Sequence, residues 1–145
     1  MSTLTSANSQ LALAVPGIFS SAQNIQGYAV DDAFEGEAVQ QAETAMGVDG
    51  FLNAGKIFIP YKMTIHLLPT SPSVPLFDMW RNNQDAQVDV FSANGTILLP
   101  STLMLYTLQK GFLTSATPFP AVKKTLQALV YEITWERIIA SPAAI

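Results

Sequence analysis

The chain has 145 residues, about one ordinary domain's worth, with a single His and no Cys, which excludes disulfide scaffolds and thiol chemistry. Hydrophobic residues make up 49% of it and charged residues 12%, about half the usual charged share, so a lone copy has little charge to keep it in solution. Seven Lys and Arg against eleven Asp and Glu give a net charge of −4 with no basic stripe, which excludes a protein that grips nucleic-acid phosphates.

The acids are uneven. Asp31, Asp32, Glu35, Glu37, Glu43 and Asp49 stand in residues 1–55 without a single cation, for −6, while residues 56–145 sum to +2. One part of the surface should repel polyanions. Lys123-Lys124 is the only basic pair and reads as a solvated strand end. The N-terminus lacks the positive charge of a targeting segment, and no apolar run reaches spanning length, so no membrane anchoring is expected.

Residues 1–15 read as a flexible, Ser/Thr/Asn-rich N-terminal arm, and residues 16–145 as one β domain opened by Pro16-Gly17. Residues 18–30 carry β-compatible Ile18, Phe19, Ile25, Tyr28 and Val30 broken by polar residues and Gly27, which suggests a hairpin or a strand with a turn. Residues 34–46 alternate weakly, and neither parity makes a core face. They form either a loop or a strand in a sheet that something outside the monomer completes. Asp49-Gly50 then suits a type I′ hairpin turn, with residues 51–53 starting the return strand.

Residues 57–68 predict a long strand with one buried face, carried by Ile57, Ile59, Tyr61, Met63, Ile65 and Leu67; an edge or bulge is expected at Pro60, which lacks an amide hydrogen. Ser71 or Ser73 caps a helix over about residues 72–84, with a following Pro in its first turn and Leu76, Phe77 and Trp80 on the packed stripe. Asn94-Gly95 predicts a tight hairpin turn between residues 88–91 and 96–99; the sequon Asn94-Gly95-Thr96 has no secretory signal to act on. Residues 103–114 are apolar at both parities, as for a strand covered on both faces. After the break at 117–120, the last strand over about 125–139 points Leu129, Tyr131, Ile133 and Trp135 inward.

Catalytic chemistry has no visible basis. His66 lies on the polar parity of its strand with no neighbouring acid, and Asp31-Asp32 with Glu35 and Glu37 matches no cation-binding loop. No phosphate loop or zinc pattern exists, so no catalytic, cofactor-binding or metal-binding residues are assigned, and no enzyme is expected.

The run Met46-Gly47-Val48-Asp49-Gly50, the strand ending Met63-Thr64-Ile65-His66-Leu67-Leu68, the junction Pro69-Thr70-Ser71-Pro72-Ser73 and the helix through Leu76 and Trp80 resemble the tail tube proteins of tailed bacteriophages. The similarity extends through Asn94-Gly95 to the closing strand with Trp135, and so covers about residues 16–139. It implies a mainly β fold, a β-sandwich or partly open antiparallel barrel with one flanking α-helix. It also implies hexameric rings that stack into a tube, with inner strands of all subunits joined around a lumen that encloses a tape-measure protein and conducts DNA without specific binding. Tail sheath or terminator proteins would be further partners, and the location would be the virion tail, assembled in the host cytoplasm. A similar fold builds the tubes of type VI secretion systems and other contractile injection machines.

The residues agree with such a reading. A compact chain of this size has a radius of gyration of about 15 Å, too small to enclose a duplex-wide channel alone. A lumen rich in Glu, Gln, Ala and Thr would let DNA slide, and Glu37, Gln41, Glu43, Glu132 and Glu136 are the candidate lining. The arm 1–15 and the loop 51–56 are the expected neighbour contacts. A rival reading is a small-molecule-binding β-barrel with Trp80, Trp135, Tyr106 and Phe112 around a pocket.

Overall fold

The computed structural model describes residues 9–26 and 34–142. The expectations for residues 1–8 of the arm, for Tyr28 and Val30, and for Asp31-Asp32 lie outside these residues. The described elements are β1 (Gln10–Val15), β2 (Phe19–Asn24), β3 (Phe34–Gly36), β4 (Ala42–Met46), β5 (Leu52–Lys56), β6 (Tyr61–Leu67), α1 (Val74–Gln87), β7 (Ser92–Leu99), β8 (Met104–Ala116) and β9 (Leu129–Pro142). Seven strands form an antiparallel sheet in the order β2-β1-β7-β8-β9-β6-β3, and β4 and β5 form a separate two-stranded ribbon. The large sheet does not close into a barrel. Leu11 and Leu13 from one side of it and Met63 and Ile65 from the other nevertheless belong to one core with Phe77 and Trp80 of α1, a sandwich-like arrangement.

The N-terminal boundary falls earlier than the sequence suggests. Residues 10–15, read as part of the arm, form β1, and Leu11, Leu13 and Val15 are buried. Their strict alternation is a strand signal that the polar residues before them obscure. Pro16 and Gly17 then form a turn: Ile18 donates its N–H to the Val15 carbonyl at 3.0 Å, and Gly17 adopts φ +93°. Proline at the second position and a left-handed glycine at the third are what a type II turn requires.

Asn94-Gly95 is not a hairpin turn. Both residues lie inside β7, which pairs with β1 on one side and β8 on the other. A bulge sits there: one residue, Asn94, opposes Gln109 and Lys110 of β8, Lys110 takes φ +50°, and its N–H donates to Asn94 Oδ1 at 3.3 Å. Glycine is needed at 95 because a Cβ would lie 2.7 Å from the Ala12 carbonyl oxygen and 2.7 Å from Leu13 Cδ2. The real connection between β7 and β8 is the turn at residues 100–103.

The same bulge explains the mixed parity of residues 103–114. Leu108 is buried before it, and Gly111 and Leu113 after it, so the extra residue exchanges the inward and outward sets. The strand is therefore half-buried rather than covered on both faces. Trp135 lies over Gly111, where any Cβ would overlap the indole ring. A second irregularity falls between Leu113 and Ser115, where Thr114 Oγ1 donates to the Glu132 carbonyl at 3.2 Å.

Met63, Ile65, Leu67, Phe77, Trp80, Leu129, Tyr131, Ile133 and Trp135 are buried, and Tyr61 is half-buried against them. Ile57 and Ile59 are not core residues. The strand begins only at Tyr61, Ile57 is half-buried, and Ile59 is exposed, because the segment through Pro60 leaves the sheet instead of continuing its ladder. Across the sheet, Leu67, Ile65, Met63 and Tyr61 pair in register with Leu129, Tyr131, Ile133 and Trp135.

Helix α1 starts two residues later than the sequence suggests and extends three further, to Gln87. Ser73 occupies the cap position without capping: its Oγ accepts the N–H of Gln26 at 2.8 Å. Ser71 Oγ donates to the Gln26 carbonyl and accepts the Ser73 N–H at 3.1 Å. Two buried serines thus satisfy both backbone groups of Gln26, tying the chain after β2 to the start of α1. Phe77 stacks on Tyr131 at 4.4 Å between centroids, and Trp80 Nε1 donates to the Phe91 carbonyl at 3.2 Å. Burial pushes the Tyr131 hydroxyl up to about 12; Asp78 raises it further and Arg81 opposes this.

Candidate assembly surface

The ribbon β4–β5 is the part of the described chain least served by the core. All ten of its residues are exposed, including Met46 and Leu52. Its pairing runs from Ala42↔Lys56 to Met46↔Leu52. Gly47 donates its N–H to the Phe51 carbonyl at 2.8 Å, Gly50 donates to the Gly47 carbonyl at 3.0 Å, and Asp49 Oδ1 accepts the Phe51 N–H at 3.2 Å. Gly50 has φ +85° while Asp49 does not enter the left-handed region, so the connection is a turn closed by a left-handed glycine, not the type I′ turn that Asp49-Gly50 suggests. At its tip, Phe51 is 70% exposed and Val48 is fully exposed. An isolated two-stranded hairpin is at best marginally stable in water, so this one needs a surface to lie on.

The sequence left residues 34–46 as either a loop or a strand completed from outside, and residues 51–53 as the start of a return strand within the loop 51–56. The structure divides the first into β3, a linker and β4, and makes residues 52–56 the strand β5. Among the described residues, β3 and β2 are the two edge strands of the large sheet.

The five polar candidates do not converge on one point. Glu132 and Glu136 share the outward face of β9; Glu132 lies 3.9 Å from Lys62 Nζ, and Glu136 lies 3.9 Å from Lys110 Nζ. Glu37 is anchored near the first pair, its N–H donating to the Lys62 carbonyl at 3.1 Å. Gln41 sits at the base of the ribbon, where its Oε1 accepts from Lys56 Nζ at 2.7 Å. Glu43 stands apart on β4 with its side chain in solvent. Sequence reasoning missed the three lysines. Lys62 was recoverable from parity, since it faces Thr134 across the sheet and so neighbours Glu132 diagonally. Lys110 was not, because its place opposite Glu136 depends on the bulge.

Thr64, Thr134 and Thr114 complete this polar face, with Thr114 Oγ1 and Thr134 Oγ1 3.2 Å apart. His66 lies across from Val130, one strand position beyond Thr64 on the same parity. Among the described residues, no three His, Asp or Glu side chains form a group able to hold a metal ion, and no helix is long and apolar enough to cross a membrane.

A groove of about 520 Å³ runs between the ribbon's base and the outer sheet, lined among others by Phe58, Ile59, Phe112, Trp135 and Arg137. Of the four aromatics suggested for a ligand pocket, Trp135 and Phe112 touch it, whereas Trp80 and Tyr106 do not. The four do not form one binding site.

The family model described as "Tail fiber protein gp32" matches residues 2–139. No curated protein matches the chain significantly. Among solved structures, a chain from the sheath–tube complex of the extracellular contractile injection system PVC in its extended state is similar at TM-score 0.57 and 16% identity, over 92% of this chain and 89% of that one. A chain from the sheath/tube terminator of the same system gives 0.59 and 15%, over 91% and 93%. A chain from the baseplate of the anti-feeding prophage gives 0.59 and 14%, over the full length of both. At these identities the likeness establishes the fold, that of phage-tail-like tube proteins. With a family model spanning nearly the whole polypeptide, the chain belongs to the tail fiber protein gp32 family and is a structural protein of a phage-like tail.

Proposed function

We propose that the chain is a tail tube subunit that forms hexameric rings, and that stacked rings build a conduit for DNA around a tape-measure protein. The observation that carries this reading is the fully exposed β4–β5 ribbon beside a sheet that does not close into a barrel. Copies arranged around a hole would cover the ribbon. The mechanism is assembly and passage without turnover. Glu37, Gln41, Glu43, Glu132 and Glu136 are proposed to line the lumen, where few free cations would retard a polyanion. Three lysines already engaged by Gln41, Glu132 and Glu136 are consistent with that.

Sheath and terminator proteins are proposed partners, by analogy with the assemblies whose chains share the fold. The location would be the virion tail, assembled in the host cytoplasm. A second reading, the tube of a bacterial contractile injection system, is favoured by the same likenesses and differs in cargo rather than architecture.

Electron microscopy of the purified chain tests the proposal. Rings or tubes are expected, and a strict monomer at every concentration, alone or with tail components, overturns it. The lining has its own test: changing Glu132 and Glu136 to Lys should leave tubes intact and slow DNA delivery at least several-fold. Unchanged delivery removes both residues from the lumen.

A further inference from the structure

The corner where α1 ends stands clear of its own subunit. All six residues from Asp85 to Val90 are exposed, Val88 at 90% and Val90 at 57%, and Asp85 and Asp89 flank them with negative charge. Val88 holds φ 50°, ψ 46°, a left-handed conformation that disfavours a β-branched side chain and that glycine would adopt freely. A strained apolar side chain without cover from its own subunit points to a contact made outside it. The groove of about 520 Å³ at the ribbon's base has the opposite character. Phe58, Ile59 and Phe112 give it apolar walls. Of its three cations, Lys110 is met by Glu136 at 3.9 Å, Lys56 only by the neutral amide of Gln41, and Arg137 by no carboxylate among the described residues. Corner and groove thus each pair apolar surface with two uncompensated charges, of opposite sign.

Their placement decides how they meet. The corner leads through Phe91 into Ser92, which pairs with Phe112, and Phe112 pairs with Thr134; both of the latter line the groove. Corner and groove therefore stand at one level along the strands. They lie on opposite faces of the sheet, since α1 packs on the face of Tyr131 and Ile133, whereas Phe112 and Thr134 have the other parity. One copy cannot bring its own corner into its own groove, but a copy beside it at the same level can. Such a contact joins different surfaces of the two copies and closes into a ring when it repeats by rotation.

We propose that the 85–90 corner of one copy seats in the groove of the copy beside it in the same ring, with Val88 and Val90 against Phe58, Ile59 and Phe112, and with Asp85 and Asp89 facing Lys56 and Arg137. The inference rests on the tube-subunit reading and adds to it a lateral contact with named residues on both sides.

The chain has no cysteine, so the double variant Gln40→Cys, Gln87→Cys, with one thiol at the groove and one at the corner, reports the contact under mild oxidation without competing thiols. Covalent multimers that stop at the subunit number of one ring are expected on a non-reducing gel, with each single variant giving nothing beyond a dimer. Electron microscopy of the same samples reads the assembly separately. Rings or tubes without multimers overturn the docking and leave the tube reading intact; multimers that run on past one ring overturn the lateral placement; unassembled chains without multimers overturn both readings. Two further variants separate contact from folding. Val88→Gly should raise the melting temperature of the subunit yet lower the yield of rings several-fold, an opposition that a purely structural role would not produce. K56E/R137E should lower the yield similarly, and adding D85K/D89K should restore it. Unchanged yield in either variant overturns the proposal and leaves the groove to a different protein.

Discussion

The strands β6 and β9 and the ribbon β4–β5 use the same backbone arrangement, antiparallel pairing, with opposite results for their side chains. Along β9, Leu129, Tyr131, Ile133 and Trp135 are buried against β6 and α1, whereas every residue of the ribbon is exposed. Ladder hydrogen bonds contribute only about 0.5–1.5 kcal/mol each because the unfolded chain makes equivalent bonds to water, so burial decides which pair stands alone. The first pair belongs to the subunit. The second has no such cover among the described residues.

The largest effect should separate these regions directly. Trp135→Ala is expected to cost about 3–5 kcal/mol of subunit stability in urea denaturation, since it empties the space over Gly111. Leu52→Ala should change that stability by less than about 0.5 kcal/mol and, if the chain builds the proposed tube, reduce tube formation seen by electron microscopy. Equal losses of stability would erase the distinction.

Next in size is Gly95→Ala. Its new methyl would press on the Ala12 carbonyl, which cannot turn aside, and a loss of about 1–3 kcal/mol is expected in thermal melting. An unchanged melting temperature would mean that β1 is held less closely than the structure shows.

Alkaline titration sharpens the core side further. Tyr131 has its folded pKa raised from 10.0 to about 12, so the folded state holds its proton more tightly than the unfolded state. The resulting stability is complete below pH 10 and is lost as pH rises from 10 through 12. Tyr131→Phe should flatten that part of the decline in urea midpoint, and an unaltered decline would assign it to other groups.

The smallest expected effect is a gain. Val88, the residue closing α1, sits at φ 50°, ψ 46°, a left-handed conformation unfavourable to a β-branched side chain. Val88→Gly should stabilise by about 0.5–1 kcal/mol, read as a higher melting temperature.

Much of the fold was legible where one pattern governed a whole element. The alternation through Met63, Ile65 and Leu67, the inward set of β9, and Phe77 with Trp80 on the helix follow from periodicity alone. The failures have a common cause in bulges and backbone approaches that no local pattern records. Asn94-Gly95 carries the chemistry of a turn, but the approach of β1 requires the glycine within a strand. Ser71 and Ser73 have the chemistry of caps, yet the chain after β2 claims their hydroxyls. At the assembly surface, the acids could be named individually, whereas their lysine partners depended on register.

The position of β1 also sets a timetable. Gln10 pairs with Leu98, so β1 is synthesised long before the strand β7 that it pairs with. At the usual ~5–20 residues per second, that wait is on the order of ten seconds, during which Leu11, Leu13 and Val15 lack their cover on a nascent chain. The slot between β2 and β7 is therefore filled late. Translation products that end before β7 carry an unprotected apolar strand.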